Sequence, residues 1–275
     1  MRRVSLVGRC IMCGLLLVAL SGIAAGAPEV REELHYQVSL GPWNDVARVH
    51  LTLQATAPGR YLAEFSGAAQ GMWQLLSRWL PERYQAEMVY RDGRLQPLVY
   101  REAFMNKGQR VVREYRFDYE NKRLALWRQA DRGPQVKKWE VPLEEQVYDL
   151  LSLFYNVRLG ALGPMAGGSS LRVPFLPTPE PQEMIFRIGP ATDQGRKVML
   201  NYRPPGAESA DQYYILINPQ QVPTLAWTRV ALFGKLSGRL LNAPEIRPDL
   251  LPPPPPQSAV VPPRGAVQAV LRNGP

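Results

Sequence analysis

The alternation of apolar and polar residues is the feature that most constrains the fold of this sequence. Between Glu33 and about Leu143 the period is two. In the stretch ELHYQVSL, Leu34, Tyr36 and Val38 share one face while polar residues take the other, and RVHLTLQA repeats the pattern. Strict alternation is typical of antiparallel strands with one buried face and one solvated face. The chain is therefore predicted to be mainly β.

Turn signals separate roughly a dozen such segments along the chain. The stretch GPWND lies between the first two, and Asp92-Gly93 is a strong two-residue hairpin turn because both positions tolerate positive φ. Alternating segments resume after the middle of the chain and continue to Leu241. Many short strands with short links predict a large curled antiparallel sheet or an open β-barrel.

Two stretches break this rhythm and are predicted to be short helices that cover the concavity of the sheet. The first is GMWQLLSRWLPE, Gly71 to Glu82, whose apolar residues recur at helical spacing until Pro81 ends it. The second is VYDLLSLFYNVR, Val147 to Arg158, with Glu144 and Glu145 expected in its first turn.

The second helix has a narrow polar stripe formed by Glu145, Asp149, Ser152 and Asn156, spaced four, three and four residues apart. A surface helix normally keeps a broad polar face, so most of this helix is predicted to be covered. The Asp149–Ser152 pair is interpreted as its exposed or capping edge and not as a catalytic dyad.

The apolar residues of the two helices allow two interpretations. Core packing is the favoured one, because aromatic stripes at helical spacing usually belong to a core. The alternative is a ligand cavity, and its lining residues would be Trp73, Leu76, Trp79, Leu150 and Phe154.

Both ends of the chain differ from its middle. Residues 1–27 combine a basic start, a short apolar run and small residues, which are the parts of a secretory signal peptide, so cleavage is expected near residue 27. Residues 28–242 are predicted to be a single β-rich domain, and residues 243–275 a Pro-rich disordered tail. Cys10 and Cys13 both fall in the signal segment, so the mature chain is expected to lack disulfides and thiolate sites.

Candidate chemistry is sparse. The only histidines are His35 and His50, which face each other if the first two strands form a hairpin closed by a loop from Gly41 to Asn44. Facing imidazoles can share a metal or respond to pH, but no Asp or Glu is expected beside them in this register. They are interpreted as an exposed cross-strand pair, with no metal or cofactor predicted. Hydrolase and nucleotide-binding motifs are missing from the sequence, so no enzyme is predicted.

Three stretches together resemble the bacterial envelope family called domain of unknown function 3108. They are EELHYQVSLGPW, YDLLSLFYNVR and YYILINPQQVPTLAWTRVALFGKLSGRLL. The most specific part is an Asp-x-x-Ser-x-x-Tyr-x-x-Arg run, here Asp149, Ser152, Tyr155 and Arg158. Near the end, the family's usual Ser-x-Asp is replaced by Asn218-Pro219-Gln220. The resemblance implies an exported, β-rich protein of a Gram-negative-type periplasm, without established activity or catalytic residues.

The leading functional hypothesis is a non-catalytic periplasmic envelope protein that holds an apolar or amphiphilic ligand, such as a lipid or a lipoprotein acyl group, under its helices. The alternative is a structural or protein-interaction module that uses its sheet edges and Pro-rich tail. A hydrolase of envelope glycan is the third hypothesis. Candidate partners are a lipid, a lipoprotein or an envelope protein. Because the formal charge of +9 is scattered among apolar residues, no nucleic acid is predicted, and no transmembrane segment is expected in the mature chain.

Overall fold

The computed structural model describes residues 29–71, 81–106, 108–163, 165–176, 182–202, 211–230 and 233–242. These residues form fourteen strands and one helix, α1 (Leu150–Arg158). The strands are β1 (Glu29–Leu40), β2 (Trp43–Ala57), β3 (Arg60–Ala69), β4 (Pro81–Arg91), β5 (Arg94–Asn106), β6 (Gln109–Asp118), β7 (Arg123–Ala130), β8 (Val136–Pro142), β9 (Ser170–Phe175), β10 (Gln182–Thr192), β11 (Gly195–Tyr202), β12 (Asp211–Ile217), β13 (Pro223–Val230) and β14 (Gly234–Leu240).

All fourteen strands belong to one antiparallel sheet, in the order β8-β7-β6-β5-β4-β3-β2-β1-β14-β13-β12-β11-β10-β9. Every neighbouring pair follows directly in sequence except β1 and β14, which join the two ends of the described chain. The sheet is not closed, and its two edge strands, β8 and β9, are consecutive in sequence. The segment that carries α1 connects these edges.

The predicted mainly β fold is confirmed, and each alternating segment of the sequence lies in a strand. At the predicted hairpin turn, Asp92 has a φ of 52° and Gly93 a φ of 76°, as a two-residue turn of this type requires. The prediction of two helices is not met, because the described residues contain only one. The other predicted helix falls mostly on residues 72–80, which lie outside the described part of the chain.

The helix that is present begins later than predicted. Asp149 is its N-cap, so Glu144 and Glu145 are not in its first turn and lie in the irregular segment after β8. The sequence predicts a helix start at Glu144 and Glu145 because acidic side chains are stabilised near the positive end of the helix dipole. A side-chain cap at Asp149, five residues further on than Glu144, fixes the start instead.

The hairpin of β1 and β2 has the predicted register, with His35 opposite His50, Gln37 opposite Arg48, and Tyr36 opposite Val49. Its loop is shorter than predicted. Leu40 pairs with Trp43, and a bulge between the Val38 and Leu40 pairs absorbs the remaining residues.

The sheet has an inner face, which carries α1 and the buried side chains, and an outer face of mostly polar residues. The inner face holds two apolar clusters, one formed mainly by β1 to β7 and the other by β9 to β12. Leu151 and Tyr155 of α1 belong to the first cluster, whereas Leu153 and Val157 belong to the second. The helix therefore packs against both halves of the sheet.

Both edges of the sheet carry features that block further strand pairing. On β8, Lys137 and Lys138 are exposed and Pro142 ends the strand. On β9, Pro174 lacks an N–H, and the Tyr148 backbone bridges to Pro174 and Leu176 with N···O distances of 3.0 and 2.9 Å. Lysine, proline and covering segments are the usual protection of exposed edges. Within the described residues there is no helix both long and apolar enough to cross a membrane.

Candidate functional site

Asp149 and Ser152 form a reciprocal cap at the start of α1. The Oδ1 atom of Asp149 accepts hydrogen bonds from the backbone N–H groups of Leu151 and Ser152, at 2.8 and 3.0 Å. In return, the Ser152 hydroxyl oxygen accepts from the Asp149 backbone N–H at 3.0 Å. Both side chains are fully buried, and burial raises the pKa of Asp149 to about 6 against the lowering effect of these bonds. Of the two alternatives, an exposed edge or a capping edge, the structure shows the capping one, and this edge is buried.

Asn156 continues the polar stripe into the core. Its side-chain oxygen accepts from the Leu95 backbone N–H at 3.0 Å, and its amide donates to the Leu95 carbonyl at 2.8 Å. Leu95 lies at the start of β5 and is fully buried. The polar stripe therefore faces the sheet. Its Asn156 side chain forms the hydrogen bonds that the Leu95 N–H and C=O groups do not form with a neighbouring strand.

Arg158, at the end of α1, forms a buried ion pair with Glu32 of β1. The side chains are only 5% and 2% exposed, respectively. The Arg158 guanidinium also donates to the carbonyl of Gln220 at 2.9 Å, in the turn between β12 and β13. This contact brings together the three stretches that carry the family resemblance.

The turn that replaces the family's Ser-x-Asp makes its contacts without an acidic residue. The Asn218 side chain accepts from the Val222 backbone N–H at 2.8 Å, which closes the turn. The contact with Arg158 uses a main-chain carbonyl, so it does not depend on the identity of the side chain there.

Tyr155 completes the four-residue motif. It is fully buried, and burial raises the pKa of its hydroxyl far above the usual value. Neighbouring Tyr36 donates to the Pro223 carbonyl at 3.0 Å, whereas the Tyr155 hydroxyl is buried without a hydrogen-bond partner. The four residues of the motif therefore position α1. Asp149 has no exposed surface, so its carboxylate is inaccessible to a substrate.

The inner face beneath α1 is closely packed. The small residues Ala63 and Ala86 are fully buried on β3 and β4, two of the strands that contact the helix. Of the predicted ligand-lining residues, Phe154 packs against the first apolar cluster, while Leu150 is 41% exposed at the start of α1. Trp73, Leu76 and Trp79 lie outside the described residues. The ligand-lining role of these five residues stays a prediction.

A row of aromatic rings crosses the inner face from β3 to β8. Ring centroids are 5.4 Å apart for Phe65–Tyr84, 5.9 Å for Tyr84–Tyr100, 5.8 Å for Tyr100–Tyr115 and 6.1 Å for Tyr115–Trp139. The middle rings are buried, but Phe65, Tyr84 and Trp139 are only partly so. The Tyr115 hydroxyl and the Trp139 indole N–H are buried donors without a partner. No single periodic signal in the sequence reveals this row, because each strand contributes only one or two rings.

One ion pair lies beside this row. Glu102 of β5 stands between Tyr84 and Arg113 in the strand register, and its carboxylate is 3.5 Å from the Arg113 guanidinium. Burial raises the pKa of Glu102 to about 7, although Arg113 opposes the shift. Arg113 also stacks over the ring of Phe104, 4.7 Å from its centroid. We call Phe65, Tyr84, Glu102, Phe104 and Arg113 the aromatic end of the inner face.

On the outer face, Glu33 lies beside the two histidines. Its Oε1 atom is 3.0 Å from Nε2 of His35 and 2.8 Å from Nε2 of His50. The imidazole rings stack with centroids 4.5 Å apart and planes 10° from parallel. The expectation that no acidic residue adjoins the pair is wrong, because Glu33 precedes His35 by two positions and therefore shares its face. Hydrogen bonds from both imidazoles, and their charge, lower the pKa of Glu33.

The comparison with known families gives one match. The family model described as protein of unknown function DUF3108 matches residues 35–187, which is more than half of the chain. The match includes the motif of α1, the aromatic end and both histidines. No curated protein and no solved structure matches this chain.

Proposed function

The chain belongs to the DUF3108 family of proteins of unknown function, and from this premise we propose that it is a non-catalytic envelope protein that holds an amphiphilic ligand at the aromatic end of its inner face. The ligand class is a lipid or a lipoprotein acyl group with a polar head. The observation that carries the proposal is the pair of partly exposed rings of Phe65 and Tyr84 beside the Glu102–Arg113 ion pair.

The composition of the aromatic end supports this ligand class. Ligand sites are mostly apolar, with a few polar groups that fix orientation. Phe65, Tyr84 and Phe104 supply partly exposed apolar surface, and Arg113 supplies a donor to a polar head. Such an arrangement binds an acyl chain by burial of apolar surface, at about 0.8 kcal/mol for each buried CH₂ group.

The position of α1 supports the placement of the ligand at the aromatic end. Asn156 ties the helix to Leu95, at the start of β5, whereas Glu102 and Phe104 lie near the end of the same strand. Pro81, the first residue of β4, pairs with Phe104 at this end.

The alternative, an interaction module that uses its sheet edges, has less support. Lysine and proline on β8, and proline with a backbone bridge on β9, oppose the addition of a strand to either edge. The role of the Pro-rich tail remains a proposal that does not depend on these edges.

Export to the periplasm is part of the proposal and has its own test. Fractionation of the native bacterium should place the protein in the periplasmic fraction, with a mass that corresponds to cleavage near residue 27. Recovery of uncleaved protein from the cytoplasm would contradict export.

Native mass spectrometry tests ligand holding. The protein is purified from its own envelope without detergent, and its mass is compared before and after denaturation. We expect a bound species of lipid mass that the double variant Y84A/F104A loses. The matched control is Y214A/W227A, which removes a partly exposed pair of stacked rings on β12 and β13, away from the aromatic end, and should retain the bound species.

Two outcomes would contradict the proposal. One is wild-type protein with no bound species from its own envelope, even after incubation with envelope lipid extract. The other is equal retention by Y84A/F104A and wild type. Circular dichroism and urea unfolding establish that each variant is folded.

A further inference from the structure

Glu33, His35 and His50 bring three metal-ligand atoms to one point on the outer face. These atoms all lie within 4.8 Å of one another. Two imidazole nitrogens and one carboxylate oxygen form a ligand set found in zinc sites and in sites of other first-row transition metals. No hard-oxygen cage of the kind preferred by Ca²⁺ or Mg²⁺ is present in this trio.

The distances between the ligand atoms suit a tetrahedral metal. Zinc lies about 2.0–2.2 Å from nitrogen and oxygen ligands, which places neighbouring ligand atoms about 3.3 Å apart. The Glu33 oxygen is 3.0 and 2.8 Å from the two Nε2 atoms, so shifts of a few tenths of an ångström open the required space. The side chains are 40–50% exposed, so the stacked rings are free to rotate toward a common metal.

The backbone at this trio is held rigidly. Asn242, which follows β14, accepts from the His35 backbone N–H at 2.8 Å and donates to the Glu33 carbonyl at 2.8 Å. The Leu241 backbone N–H donates to the His35 carbonyl at 2.8 Å. Together with the ladder between His35 and His50, these bonds fix the spacing of the ligands. Sites built on paired strands hold their geometry better than sites on loops.

A groove of about 470 Å³ opens at the same place. Its walls include His35, His50 and Arg48, and it exists because β3 contributes the small residues Ser66, Gly67 and Ala68. Three protein ligands leave one position of a tetrahedral metal for water or an exogenous group. The Arg48 guanidinium in this groove is already paired with the Asp45 carboxylate, so the fourth position is left to water or a small exogenous ligand.

We propose that Glu33, His35 and His50 form a surface site for a divalent transition metal, with Zn²⁺ as the reference ion and an open fourth position. The site is independent of the proposed ligand at the aromatic end, because it lies on the opposite face of the sheet.

Isothermal titration with zinc chloride tests the site. The protein is the full mature chain without a polyhistidine tag, stripped of metal with a chelator. We expect saturable binding of one ion, weakened about 100-fold or more in H35A and in H50A, since even outer-shell changes cost 10- to 100-fold. The control E87A, which removes an exposed carboxylate from another part of the sheet, should bind like wild type.

Cobalt substitution and a rescue variant give independent readouts. Co²⁺ bound in place of Zn²⁺ should produce the visible absorption of a tetrahedral site. H50C should bind zinc although H50A does not, because a thiolate is also a zinc ligand. Wild-type protein that binds no zinc, or an H35A/H50A double variant that binds as tightly as wild type, would overturn the proposal.

Discussion

At the scale of single residues, the four positions of the α1 motif act as attachments of the helix. Asp149 and Ser152 cap its start, and Arg158 fixes its end to Glu32 and Gln220. Each contact is buried, so each side chain is needed to satisfy polar groups that water does not reach. The most specific part of the family resemblance is thereby explained by the placement of one helix.

The Arg158–Glu32 pair predicts a non-additive mutant cycle. Removing one partner, in R158M or E32M, leaves an unpaired buried charge and should lower the free energy of unfolding by about 3–5 kcal/mol. The double variant should be more stable than either single variant, because neither charge remains. Urea denaturation of wild type, the two single variants and the double variant measures these free energies. If the losses of the two single variants simply added up in the double variant, the claim that Arg158 and Glu32 interact directly in a buried site would be contradicted.

Asn156 predicts a second stability difference. In N156A the Leu95 N–H loses its partner and the Leu95 carbonyl keeps only its longer bond to Gln146, which should cost about 1–3 kcal/mol. Gln146 offers a matched control, since its amide reaches the same Leu95 carbonyl at 3.3 Å from a half-buried position. Thermal or urea unfolding should show Q146A to lose well under 1 kcal/mol. Equal losses in the two variants would contradict the role of Asn156.

Glu102 predicts a pH dependence of stability. Its carboxyl has a pKa of about 7 in the folded protein against 4.5 for the ordinary group. Between these values the unfolded chain releases the proton and the folded protein keeps it, so stability should fall as pH rises from about 4.5 to 7. The total for this group is on the order of 3 kcal/mol.

The test of this dependence is urea unfolding of wild type and E102Q at intervals from pH 5 to pH 8. The amide does not ionise, so the slope should be shallower in E102Q over this window. Asp149, with a raised pKa of about 6, contributes in the same direction and remains in both proteins. Identical slopes would show that Glu102 is charged in the folded protein at pH 5.

At the scale of elements, α1 is a short helix that depends on its cap. A helix of nine residues is marginal on its own, so its stability comes from packing and termini. D149A should lower the unfolding free energy by about 1–2 kcal/mol. D149N keeps an acceptor for the N–H groups and removes a buried carboxyl, so it should match or exceed wild type in thermal unfolding. A D149N variant as unstable as D149A would show that the negative charge itself is needed.

At the scale of the whole molecule, the sequence predicts the strands well because one face of each is buried and the other solvated. The alternation that places Leu34 and Tyr36 together inside also places His35 opposite His50 outside. The order of the strands is not predictable in the same way, since the pairing of β1 with β14 and the separation of β8 from β9 are long-range choices.

The functional residues were predicted less completely, for a physical reason. The polar stripe of α1 was recognised, but its burial was not, because strand backbone groups such as those of Leu95 carry no sequence signal. Glu33 was overlooked because its contact with the histidines runs diagonally, with His50 on the next strand. The aromatic row exists only after the six strands β3 to β8 stand side by side, and five of them each contribute one ring.

These features divide the inner face into two functional parts. The part under α1 is packed and fixed by buried polar contacts, so it provides rigidity. The aromatic end keeps partly exposed rings next to Glu102 and Arg113, where Pro81 at the start of β4 pairs with Phe104. The central claim is that this end, and not the surface under α1, holds an amphiphile.

Photo-crosslinking with a diazirine-bearing fatty acid tests that claim most directly. After irradiation of the protein–ligand mixture and proteolysis, mass spectrometry identifies the labelled residues. The account predicts labels on Phe65, Tyr84 and Phe104, with competition by unlabelled fatty acid. Labels confined to Leu150 and Phe154 of α1 would contradict the account. Labelling that unlabelled fatty acid does not reduce would also contradict it.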